Sequence, residues 1–98
     1  MRLYDIIWKD RFVEKIADKH GVTTDEVEEV LFSQPHIRLA EKGQVKGENV
    51  YVAYGQTTPG RYLVVFFIHK HRTAALPISA RDMTSSERRY YNEQKKAG

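Results

Sequence analysis

The chain contains no cysteine among its 98 residues, which excludes disulfides and thiolate metal sites and is compatible with a reducing compartment. No apolar run approaches the roughly 20 residues of a membrane span. The longest, over residues 62–68, has the length of a strand. Met1-Arg2-Leu3-Tyr4-Asp5 lacks the apolar stretch of a signal peptide, so the chain reads as cytoplasmic. Familiar catalytic signatures are missing as well: there is no Walker loop, no His-Glu-x-x-His and no Gly-x-Ser-x-Gly. A further absence is local. Between Arg61 and Arg81 there is not one acidic residue.

That gap belongs to a wider asymmetry. The net charge of +3 combines a first part, residues 1–60, at −2 with a second, residues 61–98, at +5. A basic half suits a polyanion such as nucleic acid, although an ordinary basic surface has the same composition. With 41% apolar and 30% charged residues, the chain reads as one soluble domain over residues 1–98, large enough for a single core.

Periodicity sets the expected elements. Residues 6–8, Ile6-Ile7-Trp8, make a short apolar start. Phe12, Val13, Ile16 and Ala17 recur at helical spacing over residues 10–20, and Gly21 follows as a stop signal. Thr23-Thr24-Asp25-Glu26 fits a capping box, opening a second helix with Val27, Val30 and Leu31 on its buried stripe and Pro35 beyond its end. The acidic run Asp25, Glu26, Glu28 and Glu29 then reads as a solvated helix front.

After Pro35 the period changes to two. Ile37 and Leu39 alternate with polar neighbours, residues 41–48 form a polar loop, and residues 49–54 alternate again. Thr57-Thr58-Pro59-Gly60 is a turn. Residues 62–68 are apolar on both faces, as a central strand requires. His69-Lys70-His71-Arg72 turns into a last strand over residues 73–81, where Pro77 implies an edge or a bulge. Thr84-x-x-Glu87 is a second capping box, starting a helix over residues 85–94 with a frayed tail at 95–98. The expected fold is α+β: a small antiparallel sheet with two N-terminal helices and one C-terminal helix.

His69 and His71 share a strand face, but Lys70 and Arg72 beside them disfavour a cation, and no metal site is expected. Arg61 opens the central strand and Arg81 closes the last, so a hairpin brings them to one sheet end. A two-residue loop puts them on opposite faces. A three-residue loop, or a bulge at Pro77, puts them on one face, where two arginines repel unless an anion lies between. His20, closing the first helix, either favours its C-terminus or acts as a general acid or base. Glu87 reads mainly as a cap, and Arg88 and Arg89 stand where a phosphate can be met despite the positive helix start.

Several segments together are distinctive: Trp8 after an apolar pair, Lys19-His20-Gly21-Val22, Tyr54-Gly55, Gly60-Arg61-Tyr62-Leu63-Val64-Val65-Phe66, and Ile78-Ser79-Ala80-Arg81 followed by Glu87-Arg88 and Tyr91. Across residues 7–91 the chain resembles the BrnT family of toxins from type II toxin–antitoxin pairs. Lys9 and Gln56 stand where the family pattern carries aspartate and arginine.

The resemblance implies a fold related to RelE-type ribonucleases and an RNA-cleaving toxin that stalls translation. The expected enzyme is a metal-independent endoribonuclease without a cofactor, in which the RNA 2′-OH attacks the adjacent phosphorus. Arg61 and Arg81 are expected to hold the extra charge of the phosphorane, His20 to transfer a proton, and Lys19, Arg88 and Arg89 to position the RNA backbone. The implied partner is a small antitoxin that also binds DNA, in a homodimer or a toxin–antitoxin hetero-oligomer. The alternative is a non-catalytic nucleic-acid-binding or antitoxin-binding module using the same basic face.

Overall fold

Strand β4 (Tyr62–Lys70) is apolar on both faces because it is the middle of a five-stranded sheet covered on both sides. In the computed structural model, which describes residues 1–43 and 48–97, the elements run β1 (Asp5–Ile6), α1 (Asp10–His20), α2 (Thr24–Phe32), β2 (His36–Glu41), β3 (Val50–Gln56), β4, β5 (Ala74–Asp82) and α3 (Ser85–Ala97). The centre of the polar loop expected over 41–48, residues 44–47, lies outside the described residues, as does Gly98 of the tail. The sheet order is β1-β5-β4-β3-β2.

The α+β class holds, but the sheet is mixed where an antiparallel one was expected. β1 runs parallel to β5, pairing Asp5 with Ala74 and Ile6 with Ala75. That contact joins residues far apart in the chain, and periodicity carries no information about it. The last helix extends through Ala97, three residues beyond the expected Gln94, so Lys95 and Lys96 are helical.

Alternation along β4 divides the core in two. Leu63, Val65 and Phe67 point to one face and are buried with Ile16, Val22, Val27, Val30 and Leu31 of the α1–α2 layer. Tyr62, Val64 and Phe66 point to the other, with Met83 and with Tyr90 and Tyr91 of α3. Gly21 ends α1 in the left-handed conformation at φ 61°, its N–H bonding Ala17 O while that of Val22 bonds Ile16 O. Both capping boxes form, Thr23 with Glu26 and Thr84 with Glu87.

A bulge in β5 is the feature on which the functional geometry turns. Phe66 pairs with Ser79 and Phe67 with Pro77, so Ile78 is an extra residue. The hairpin loop is residues 71–73, three residues long, which alone would place Arg61 and Arg81 on one face. The bulge reverses that. Arg81 pairs with Val64 and faces α3, whereas Arg61, odd-numbered with Leu63, faces α1 and α2.

Close packing of α2 on β3 depends on Gly55. A Cβ there would stand 2.8 Å from Val30 Cγ1, inside the core. Gly55→Ala is therefore expected to lower stability by about 1–3 kcal/mol, read as the shift in urea-unfolding midpoint. Val30→Ala in the same chain should cost less than the sum of the two single substitutions. Strict additivity would show that the contact is not the cause.

Candidate functional site

Arg61 opens β4 beside the end of α1, the start of α2 and the end of β5, and its guanidinium ties all of them together. Nε donates to Asp82 Oδ1 at 2.8 Å and Nη2 to Asp82 Oδ2 at 3.2 Å. Nη2 also meets the His20 carbonyl at 3.2 Å, while Nη1 reaches the Gly21 carbonyl and Glu26 Oε1, both at 3.0 Å. Glu26 Oε2 also lies 3.1 Å from Nη1, so all five N–H donors find acceptors. Two of these are carbonyls left over at the C-terminal end of α1, where a cation is favoured.

Two carboxylates around one guanidinium leave this cluster at −1. The Arg61 hydrogen bonds hold Asp82 below its ordinary 3.8. For Glu26, burial pushes upward, but the Thr23 backbone N–H and Arg61 outweigh it and the carboxyl lies below 4.5. Asp82 and Glu26 in turn push Arg61 upward against its partial burial. The arrangement is a saturated clamp, with every Arg61 donor engaged inside the protein.

The other face differs. Paired neighbours place His36, Tyr54, Val64 and Arg81 in one row across β2, β3, β4 and β5. Arg81 grips Glu87 through Nη1 at 2.7 Å and Nη2 at 3.0 Å, and Nη1 also bonds the Asp82 carbonyl at 3.1 Å. Nε–H and one Nη2–H have no partner among the described residues, so one fork of the guanidinium is open. Its side chain remains 33% exposed. Arg81 holds the Glu87 carboxyl below 4.5, assisted by Thr84 at the cap, and so keeps it ionised.

Above the β2 side of this row, Tyr90 of α3 accepts or donates at His36 Nε2 over 2.8 Å and packs on Tyr54 with ring centroids 5.2 Å apart. Arg38 lies over the Tyr90 ring at 4.8 Å. Burial pushes the Tyr54 phenol up, against the pull of Arg38, so it stays a neutral donor. Its hydroxyl bonds no described residue and is not sealed from solvent.

The expected site residues are therefore divided by the sheet. Arg81, Arg88 and Arg89 belong to the α3 side, with Arg88 4.2 Å over the Tyr62 ring and Arg89 exposed. Arg61, His20 and Lys19 belong to the α1–α2 side, His20 half-buried and Lys19 exposed. Sequence reasoning missed His36, Arg38, Tyr54 and Tyr90. The signal for the first two was present: they are two apart on a strand and share a face, opposite to the Ile37 and Leu39 alternation that was read as structural. Gln56 donates to the Gly60 carbonyl at 3.2 Å and closes the 57–60 turn.

The family described as "Ribonuclease toxin, BrnT, of type II toxin-antitoxin system" matches residues 8–87. The chain belongs to this family. It is a ribonuclease toxin of a type II toxin–antitoxin system, with RNA as target and a cognate antitoxin as partner. Among solved structures, the 1.1 Å crystal structure of the Brucella abortus ribonuclease toxin BrnT is similar, at a TM-score of 0.58 and 19% identity, over 83% of this chain and 97% of that one. At that identity the likeness establishes the fold. No curated protein matches the chain. The matched span includes Gly60-Arg61 and Ala80-Arg81, which stand at one sheet end with the two arginines on opposite faces.

The clamp predicts a pH dependence. Glu26 and Asp82 titrate lower in the folded protein than their ordinary 4.5 and 3.8, so each contributes stability above those values and loses it as pH falls through the lowered ones. The melting temperature should fall below about pH 5. Arg61→Gln should lose roughly 2–3 kcal/mol at neutral pH and melt with a shallower acid limb. An unchanged acid limb in that variant would sink the assignment.

Proposed function

We propose that this ribonuclease toxin is a metal-independent endoribonuclease and that Arg81 is the guanidinium that meets the reacting phosphate. In this chemistry the RNA 2′-oxygen bonds to phosphorus as it gives up its proton. The bond from phosphorus to the 5′-oxygen then breaks, and that oxygen takes a proton, leaving a 2′,3′-cyclic phosphate and a 5′-OH. The protein must stabilise a phosphorane more negative than the ground-state diester. The observation that carries the reading is the open fork of Arg81 on a partly exposed face, with the rest of the group fixed bidentately by Glu87.

Arg88 and Arg89, one turn into α3, support the RNA backbone on the same face. Groups there able to exchange a proton are Glu87, His36, Tyr54 and Tyr90. Arg61 and His20, expected as catalytic residues, take a positioning part in this reading: their clamp holds Asp82, and through it the end of β5 that carries Arg81. Lys19 lies with them and reaches only RNA that wraps the sheet end.

On the same reading, residues 1–98 act as one RelE-like toxin domain in the cytoplasm, needing no cofactor. The antitoxin is a small DNA-binding protein that inhibits by covering the α3 face, in a hetero-oligomer or around a toxin homodimer.

The test is cleavage of RNA by the purified protein in EDTA, with and without ribosomes. Arg81→Ala should lower cleavage at least about 100-fold while RNA binding falls only a few-fold, and Arg81→Lys should not restore it because the bidentate fork is lost. Cleavage that survives Arg81→Ala, or that EDTA abolishes and magnesium restores, would overturn the proposal. Binding without any cleavage would point to a nucleic-acid-binding module instead.

A further inference from the structure

The Arg81 guanidinium lies 5.5 Å over the ring of Phe66, its diagonal neighbour on β4. Phe66 pairs with Val52, and Val52 with Arg38, so the ring that Arg81 covers belongs to the cross-strand row that begins at Arg38. Arg38 and Phe66 are two strand spacings apart, about 10 Å at the backbone. Both arginines extend above the same face, with Tyr54 between them.

Arg38 is held against two aromatic rings without being neutralised. Its guanidinium lies 4.8 Å over Tyr90 and 5.8 Å over Tyr54. Those rings are in turn fixed: Tyr90 bonds His36 at 2.8 Å, and the His36 and Tyr54 rings are 6.0 Å apart. No carboxylate among the described residues pairs with Arg38, in contrast to Arg61 and Arg81. Arg38 is exposed. A guanidinium stacked on aromatic faces keeps its N–H donors at its perimeter, where a phosphate can be taken in the plane of the group. Stacking also reduces the freedom that an exposed arginine must lose on binding.

We infer that Arg38 is a further phosphate-binding guanidinium of this face, on the β2 side, holding a backbone phosphate of the RNA strand whose scissile phosphate meets Arg81. The inference rests on the proposed role of Arg81 and replaces the expected pair of Arg61 and Arg81. It also gives the aromatic group a purpose: His36, Tyr54 and Tyr90 form the platform that aims Arg38. The Tyr54 hydroxyl, lying between the two cations, supplies a neutral donor to the same strand.

The test uses a 2′-O-methyl RNA, which lacks the attacking hydroxyl and reports binding alone, beside cleavable RNA of the same sequence. Arg38→Ala should weaken binding of the methylated RNA about tenfold at low salt and flatten the slope of log K against log salt by roughly 0.7, the value for one single-strand phosphate. Arg38→Lys should keep the slope but bind more weakly than the parent, because a lysine carries charge without the stacked fork. His36→Phe, which keeps a ring but frees Tyr90, should weaken binding in the same direction with the slope unchanged. Unaltered affinity and slope in Arg38→Ala, alongside lost cleavage in Arg81→Ala, would overturn this inference and leave the Arg81 proposal standing. Intact cleavage in Arg81→Ala would remove both.

Discussion

One extra residue at Ile78 decides which way the end of β5 faces, and the functional arrangement depends on that parity. Because side chains alternate along a strand, the bulge sends Arg81 to the α3 side and Asp82, its neighbour, to the α1–α2 side. Each then fastens a different layer. Asp82 binds Arg61, which holds the α1–α2 junction; Arg81 binds Glu87, which caps α3. Two adjacent residues thereby anchor helices on opposite faces of one sheet. Pro77, unable to donate to the ladder, sits immediately before the bulge.

The two arginines show how the same chemical group is left saturated or open by its partners. Arg61 has two carboxylates and two helix-end carbonyls, and the cluster it completes is negative. Arg81 has one carboxylate and retains an open fork, on a face that also carries Arg38, Arg88 and Arg89. A phosphate approaching the first must displace satisfied, charge-assisted bonds. At the second it adds to an incomplete set, and the local excess of positive charge favours it. Glu87 serves both as a helix cap and as the group that orients Arg81, which explains why a capping glutamate and an arginine six residues before it occur together.

Much of this was legible in the sequence where the physics is local. The central strand, both capping boxes, the Gly21 stop and the disturbance at Pro77 all followed from side-chain period, capping chemistry or a missing N–H. The family resemblance supplied the ribonuclease function, which composition reduced only to a basic half. What could not be read was non-local or depended on counting a single residue. The parallel pairing of β1 with β5 leaves no periodic trace. The faces of Arg61 and Arg81 turn on a loop length and a bulge together, and each alone gives the opposite answer to the pair. His36 and Arg38 were hidden for a different reason: the alternation around them was read for its apolar members, and their partner Tyr90 lies 54 residues away.

The central claim is that Arg81 faces the RNA while Arg61 holds the frame. It can be read directly from the arginine Nε–H resonances of 15N-labelled protein titrated with 2′-O-methyl RNA. The account predicts that the Arg81 Nε–H, open in the free protein, shifts with saturation, while the Arg61 Nε–H, bonded to Asp82, keeps its position. A shift at Arg61 with Arg81 unmoved would contradict it.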